Sequence, residues 1–450
     1  MPIERDNVAA ISLNDFSGGM NSAVPPHMLG ENEFQMVKNF EYDMNILRTR
    51  GGISEPLATY PVNIKAFCYD NGTNTYLVCL ENGEIYEEDL GKLHNKVGTL
   101  DGKGDPTFCF FDNKIFIASG GHLQYYDYQK HTVTTIAASY LCDYVFERMG
   151  RLVICHEGDD NLYYSATGDP YETGWKENTN DDSSAKFIEI GYKDNGDILK
   201  VLPMSGDIVA FKTNGRVYGL SGEYPSWNLT LIGEKSDVIN GRTILNLGPS
   251  VAFMTGAGLK SLDAIQTYGN FTTNETGRKI NRCFIGNVYN PAMYNITRKR
   301  QLLIIPNTSD DENRKKVYCF QYDVGAGIYF EFSMPVTDMA DTQDGVMFAC
   351  GKSLHRWDDK YVNDNGKPIE QEIKTRKINS TRRIFTRRIE AAFKGSGLVL
   401  FKWAEKTVKH KVGTKRNVIN FFSSCHNGEL TIQTKDNIVF EYANLYYTEK

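Results

Sequence analysis

The sequence has no apolar run near the roughly 20 residues that a membrane span needs. It opens on a polar stretch, MPIERDNVAA, with nothing of a secretory leader. Its nine cysteines, at 68, 79, 109, 142, 155, 283, 319, 350 and 425, are odd in number and include no CxxC pair. Most lie in apolar runs, such as YLVCL around Cys79 and LVICH around Cys155. They read as buried thiols of a protein made in a reducing compartment, not as a disulfide framework. The eight histidines show neither HxH nor HExxH spacing, so no metal site is expected. The glycine pairs Gly102/Gly104 and Gly256/Gly258 lack a strand–glycine–helix setting, and no GKS/T follows, so they read as turns. No nucleophile motif nominates a catalytic group, and no cofactor is expected. Helix signals are scarce.

What is there instead is a repeated hairpin. The stretch RLVICHEGDDNLYY from Arg151 is an apolar run, a Gly/Asp turn and a returning strand with paired tyrosines. The same shape begins near residues 75, 114, 207, 250, 301 and 345, at steps of 37 to 56 residues. One hairpin cannot bury both of its faces. A β-only unit repeated at such spacing points to a β-propeller, in which each sheet covers the next and ring closure leaves only short edges. Seven hairpins imply six or seven blades. A large sandwich or two smaller barrels is the alternative.

The expected organisation is all-β: an N-terminal arm (1–52), a propeller (53–364) and a basic antiparallel β-sandwich (365–450). In the arm, Leu29, Phe34 and Val37 have helical spacing, so a short helix is expected over Glu31–Lys38. A strand pair follows near Phe40–Tyr42 and Ile46–Arg50, and the second of these is a candidate to close the ring. Two polar insertions, 169–184 and 308–316, are expected to be exposed. The sandwich strand from Phe385 alternates, placing Phe385, Ile389, Ala391 and Phe393 on one face. The net charge of −6 hides a split, because the chain from Asn365 onward carries 17 Lys/Arg against 8 Asp/Glu. Opposite-sign parts favour self-assembly, or contact with a polyanion through one end.

The arm carries F-S-G-G-M-N (Phe16–Asn21), P-P-x-x-L (Pro25–Leu29), E-x-x-x-V-x-N-F (Glu33–Phe40) and L-R-x-R-G-G (Leu47–Gly52). In this order the motifs resemble the N-terminal segment of tail and neck proteins of short-tailed bacteriophages. Ser165, Gly168, Asp169, Pro170 and Trp175, after the Arg151 hairpin, resemble the way those proteins write a blade. The closest family is the β-propeller tail hub of lambdoid short-tailed phages, also called the packaged-DNA stabilisation protein. The resemblance implies a non-enzymatic virion protein, made in the bacterial host cytoplasm and located in the tail or neck. It implies a ring of copies, most often six, below the portal and head–tail adaptor. That ring would extend the DNA channel, retain packaged DNA and anchor distal tail or nozzle proteins. The genome would pass through without sequence-specific binding, and no membrane is involved.

The strongest charge feature is Arg382, Arg383, Arg387 and Arg388. A DNA-gripping surface needs cations converging on phosphates, but a conduit must let the duplex slide. Arg forks pairing with carboxylates of a neighbouring copy are the preferred reading. Arg382, Arg383, Arg387, Arg388, Phe34 and Val37 are therefore the expected subunit or adaptor interface. The alternatives are a carbohydrate- or receptor-binding propeller and a generic interaction module. Asp169 and Trp175 do not match the S-x-D-x-G-x-x-W box of sialidase propellers.

Overall fold

Each apolar run that ends in a Gly- or Asn-bearing turn forms the middle hairpin of a four-stranded antiparallel sheet. The computed structural model describes residues 8–450 apart from 205, 249, 266–269, 275–276 and 323. Among these residues there are seven such four-strand units in chain order, five as separate sheets and the last two as parts of larger sheets, with first strands Ile64–Asp70 (sheet I), Thr107–Phe111 (II), Tyr144–Arg148 (III), Ile198–Met204 (IV), Ile244–Asn246 (V), Ala292–Ile296 (VI) and Asp338–Thr342 (VII). The turns have a local cause. Asn82–Gly83 and Asn214–Gly215 put glycine at φ 85° and 81°, and the asparagine side chains accept hydrogen bonds from Glu84 N and Arg216 N. The second strands are apolar throughout because both sheet faces are covered. Leu77, Val78, Cys79 and Leu80 are all fully buried, at about 1.5–3 kcal/mol for a large side chain. Six cysteines are buried and Cys283, Cys350 and Cys425 are half-buried, all as free thiols.

Sheet VII is completed from the other end of the chain. Gly52–Ile53 pairs with Trp357 and Asp358, and Ala58–Thr59 with Ser353 and Leu354. The expected closing strand, Ile46–Arg50, does something else: Ile46–Thr49 pairs with Phe40–Asp43 and with Val439–Glu449. The glycine pair explains the offset. A Cβ on Gly51 would lie 2.7 Å from the Asp358 carbonyl carbon, and one on Gly52 would lie 2.2 Å from the Asn363 oxygen. Only bare backbone passes there.

The C-terminal region is a two-layer sandwich that takes strands from the arm. One layer holds Ala9–Leu13, Phe40–Asp43, Ile46–Thr49, Ile378–Lys394, Lys415–Gly428 and Val439–Glu449. The other holds Gln371–Thr375, Gly397–Trp403, Lys406–Val412 and Leu430–Thr434, and it continues through Glu33–Lys38 into sheet VI. The expected helix over Glu31–Lys38 is thus a strand. Its helical spacing comes from a β-bulge at Gln35, which brings Phe34 and Val37, three residues apart, into the same core. The arm has no core of its own. A single apolar cluster runs from Ile11 to Leu445 and takes in Phe330, Phe348 and Trp357 of sheets VI and VII.

The joint is polar at its centre. Arg50 is 1% exposed, and its guanidinium donates to Asn39 Oδ1 (3.0 Å), Gly51 O (2.9 Å), Glu331 O (3.0 Å) and both Asp364 oxygens (2.9 and 2.7 Å). Asn39, at φ 57°, also accepts from Glu331 N and donates to Glu370 O. The Phe332 ring lies 4.3 Å from the guanidinium carbon.

The insertion 169–184 is exposed at Glu172, Thr173 and over 176–183, and buried at Pro170, Gly174, Trp175 and Ser184. Trp175 is buried in the core shared by sheets II and III and donates Nε1–H to Pro170 O at 2.9 Å, so the loop is anchored. At 308–316 a short helix, Asp311–Arg314, is capped by Asp310, which accepts from Asn313 N.

Replacing Arg50 by alanine strands the buried Asp364 carboxylate and should destabilise the chain by about 3–5 kcal/mol. Lys435→Ala removes an ion pair to Glu370 at the surface and should cost about 1 kcal/mol or less. Denaturant titration of both variants checks the ranking, and equal losses would contradict it.

Candidate functional site

Two regions bring polar groups together in a way that the hairpins alone do not explain. The first is the outward face of the six-stranded layer. Glu390, 6% exposed, accepts from Arg388 at 3.0 Å and Arg416 at 2.8 Å, with the Tyr446 hydroxyl at 3.4 Å. The Arg388 guanidinium also lies 4.7 Å from the centre of the Tyr446 ring. Alongside, Lys415–Gly428 forms an edge of the layer, paired on one side only among the described residues. It exposes Val418 and Phe422, the latter at 68%. Exposed aromatic and aliphatic groups beside arginines, on a strand with unpaired backbone, are the composition of a protein-contact face.

Arg382, Arg383, Arg387 and Arg388 are all exposed. Strict alternation would send them to both faces. Two register shifts, between Asn379 and Ile384 and between Thr386 and Arg388, turn them outward instead. The second shift also corrects the expected face. Ile384 and Thr386 are buried with Ile389, Ala391 and Phe393, while Phe385 lies outside that core, 6.0 Å from the Arg383 guanidinium. The cluster is not a set of free cations, since Arg388 shares Glu390 with Arg416. Phe34 and Val37 are fully buried and pack within the chain's own core, which removes them from any contact surface.

The second region is a cavity of about 480 Å³ lined by all seven sheets, through Phe67, Thr107, Tyr144, Lys200, Leu245, Tyr294 and Asp338. All seven lie on first strands, outside the hairpins of the sequence repeat, because first strands are mixed in polarity. The charged groups in it are largely engaged. Arg242 pairs with Asp105 at 3.5 Å, Tyr144 donates to Glu157 at 2.6 Å, and Lys200 donates to Gly241 O at 2.9 Å. Asp338 accepts from Phe67 N and Met339 N, both at 2.9 Å. By accessible area Asp338 is half-buried because it opens on the cavity, yet the sheets enclose it on every side. That enclosure pushes its carboxyl up to about 7, opposed by the two amides and Arg242. Burial likewise brings Lys200 down to about 8. Among the described residues no cluster of His, Cys, Asp and Glu is arranged to hold a metal ion, and no helix is long and apolar enough to cross a membrane.

No protein-family model and no curated protein matches the chain. Among solved structures it is similar to the extracellular domain of BT4673 from B. thetaiotaomicron, at 9% identity and TM-score 0.49 over 85% of this chain and 57% of that one. It is also similar to the β-propeller domain of Myceliophteria thermophila Cps50 (Swd1), at 8% identity and TM-score 0.45 over 68% and 99% of the two chains. The chain spans little more than half the length of the BT4673 domain.

Because the folded chain binds the Asp338 proton more tightly than the unfolded chain, stability should fall as pH rises from about 4 through 7. Asp338→Asn should remove that part of the slope. Melting temperatures of both proteins across pH 4.5–8 check this, and parallel curves would contradict it.

Proposed function

We propose that the chain is a structural subunit of a phage tail hub, in which seven four-stranded sheets form a propeller closed by Gly52–Ile53 and the sandwich presents the contact face. The observation that carries this reading is where the family-like motifs fall. Asn39 and Phe40 of E-x-x-x-V-x-N-F, and Arg50, Gly51 and Gly52 of L-R-x-R-G-G, are the residues that join arm, sandwich and sheets. Phe16 and Met20 of F-S-G-G-M-N are fully buried. A Cβ on Gly18 would meet Asn32 O at 2.3 Å. The resemblance therefore rests on residues that determine the architecture, and not on a composition bias.

The chain acts by shape. Copies associate through the outward sandwich face, with the edge strand, Val418 and Phe422 as the apolar part and Arg388 and Arg416 around it. The ring sits below the portal and adaptor and continues the channel. DNA slides past, since the guanidinium of Arg388 is directed to Glu390 and not to a phosphate track. No catalytic step is assigned to the chain.

Electron microscopy of particles assembled without this protein tests the role directly. Heads that fill and then leak DNA are expected, and stable, tailed particles would overturn it. In solution, light scattering should show association of the wild-type chain, alone or with adaptor, that Arg388→Glu combined with Phe422→Ser reduces at least tenfold. A wild-type chain that stays monomeric with adaptor present would contradict the contact face.

A further inference from the structure

A cavity of about 40 Å³ lies between sheets III and IV, away from both regions described above. Arg148 ends the first strand of sheet III and is 8% exposed. It donates one hydrogen bond, from Nη2 to Gly222 O at 3.1 Å. Its Nε and Nη1 are buried without a hydrogen-bond acceptor, and the buried Tyr164 hydroxyl in the same wall faces the Arg148 guanidinium, whose charge stabilises the phenolate against the effect of burial. No carboxylate among the described residues forms an ion pair with Arg148.

Two further cations complete the wall, and the backbone holds both. Arg151 donates to the carbonyls of Ser165 (2.9 Å), Ser184 (2.7 Å) and Asp182 (2.6 Å). Lys186 donates to Asn178 O and Asp181 O, both at 2.8 Å. Carbonyls orient these groups, and the carboxylates that act on Arg151 from a distance, Glu223, Asp181 and Asp182, make no ion pair with it among the described residues. Glu223 is the one carboxylate lining the cavity, and it is exposed. The open side is aromatic. Trp227 packs 5.2 Å from Tyr164 and 5.4 Å from Tyr224, and Lys186 sits 4.6 Å from the Tyr224 ring centre.

A guanidinium does not shed its proton inside a protein. A buried donor left unsatisfied keeps its full desolvation cost. Three fixed cations facing a small cavity, two unfilled Arg148 donors and the Tyr164 hydroxyl form a site whose missing component is an anion.

We propose that this cavity binds the anionic head group of a ligand, a carboxylate or a phosphate, on Arg148 and Tyr164. The volume admits a head group and excludes a whole sugar or nucleotide. The rest of the ligand lies outside, over the exposed Tyr224. The site uses none of the arm motifs that carry the hub reading, and it stands independently of that reading.

Tryptophan emission of the intact chain tests it. Trp227 adjoins the cavity, whereas Trp175, Trp357 and Trp403 are buried elsewhere. The protein is titrated with inorganic phosphate and, separately, with acetate, against chloride at constant ionic strength. A saturable change with at least one anion is expected, and the anion that saturates first distinguishes a phosphate-bearing from a carboxylate-bearing ligand. Arg148→Gln should weaken binding at least tenfold. Tyr224→Ala alters an exposed residue and keeps the test open if the first variant does not fold, and it should weaken binding several-fold. A response that never saturates, equal affinity in the variants, or binding seen only after Glu223→Gln, would overturn the proposal. The last result would make Glu223 the cavity's own counter-ion.

Discussion

The Arg50 guanidinium, buried at the meeting point of arm, sandwich and sheets, constrains everything around it. A charge taken out of water is tolerable only when its donors are filled with good geometry and an opposite charge faces it. Arg50 meets that condition through Asp364, Asn39, Gly51 and Glu331, residues up to 314 positions from it in sequence. Those partners cannot converge unless the arm runs between sheet VI and the sandwich. Asn39 must take a left-handed turn, and the two residues after Arg50 must be glycines that slide past Asp358 and Asn363. The pair therefore specifies one arrangement as much as it stabilises it.

From that joint follows the mechanical character of the molecule. The apolar cluster that encloses it spans residues 11 to 445, so the sandwich is not a pendant domain on a linker. Closure of sheet VII by Gly52–Ile53 ties the start of the sheet region to its end, a step away from Arg50. A body built in this way transmits load between its outward sandwich face and its sheets. Such a body suits the ring subunit proposed above, whose role by shape fits a chain with its polar groups mostly occupied with one another.

Much of the fold was legible because second strands are covered on both faces. Their cores, such as YLVCL and LVIC, are apolar at every position. First and fourth strands were harder to see. His94–Thr99 buries only Val97 fully, and Asn228–Gly233 is largely open to solvent, so neither has a period to read. Bulges misled where they occur. One at Gln35 mimics helical spacing, and one between Thr386 and Arg388 moves Phe385 off the core face. The contact face was legible in part, through the arginines. Its apolar half, Val418 and Phe422, looked like one more strand. The seven-sheet cavity and the Arg148 site had no signal in the sequence, since each is assembled from segments of different sheets that only the folded chain brings together.

Scanning calorimetry of the intact chain addresses the joint most directly. If arm, sandwich and sheets share one core pinned by Arg50, heat capacity passes through a single cooperative peak in which all strands melt together. Two resolved peaks in the wild-type protein, one for the sandwich with its arm strands and one for the seven sheets, would contradict the account.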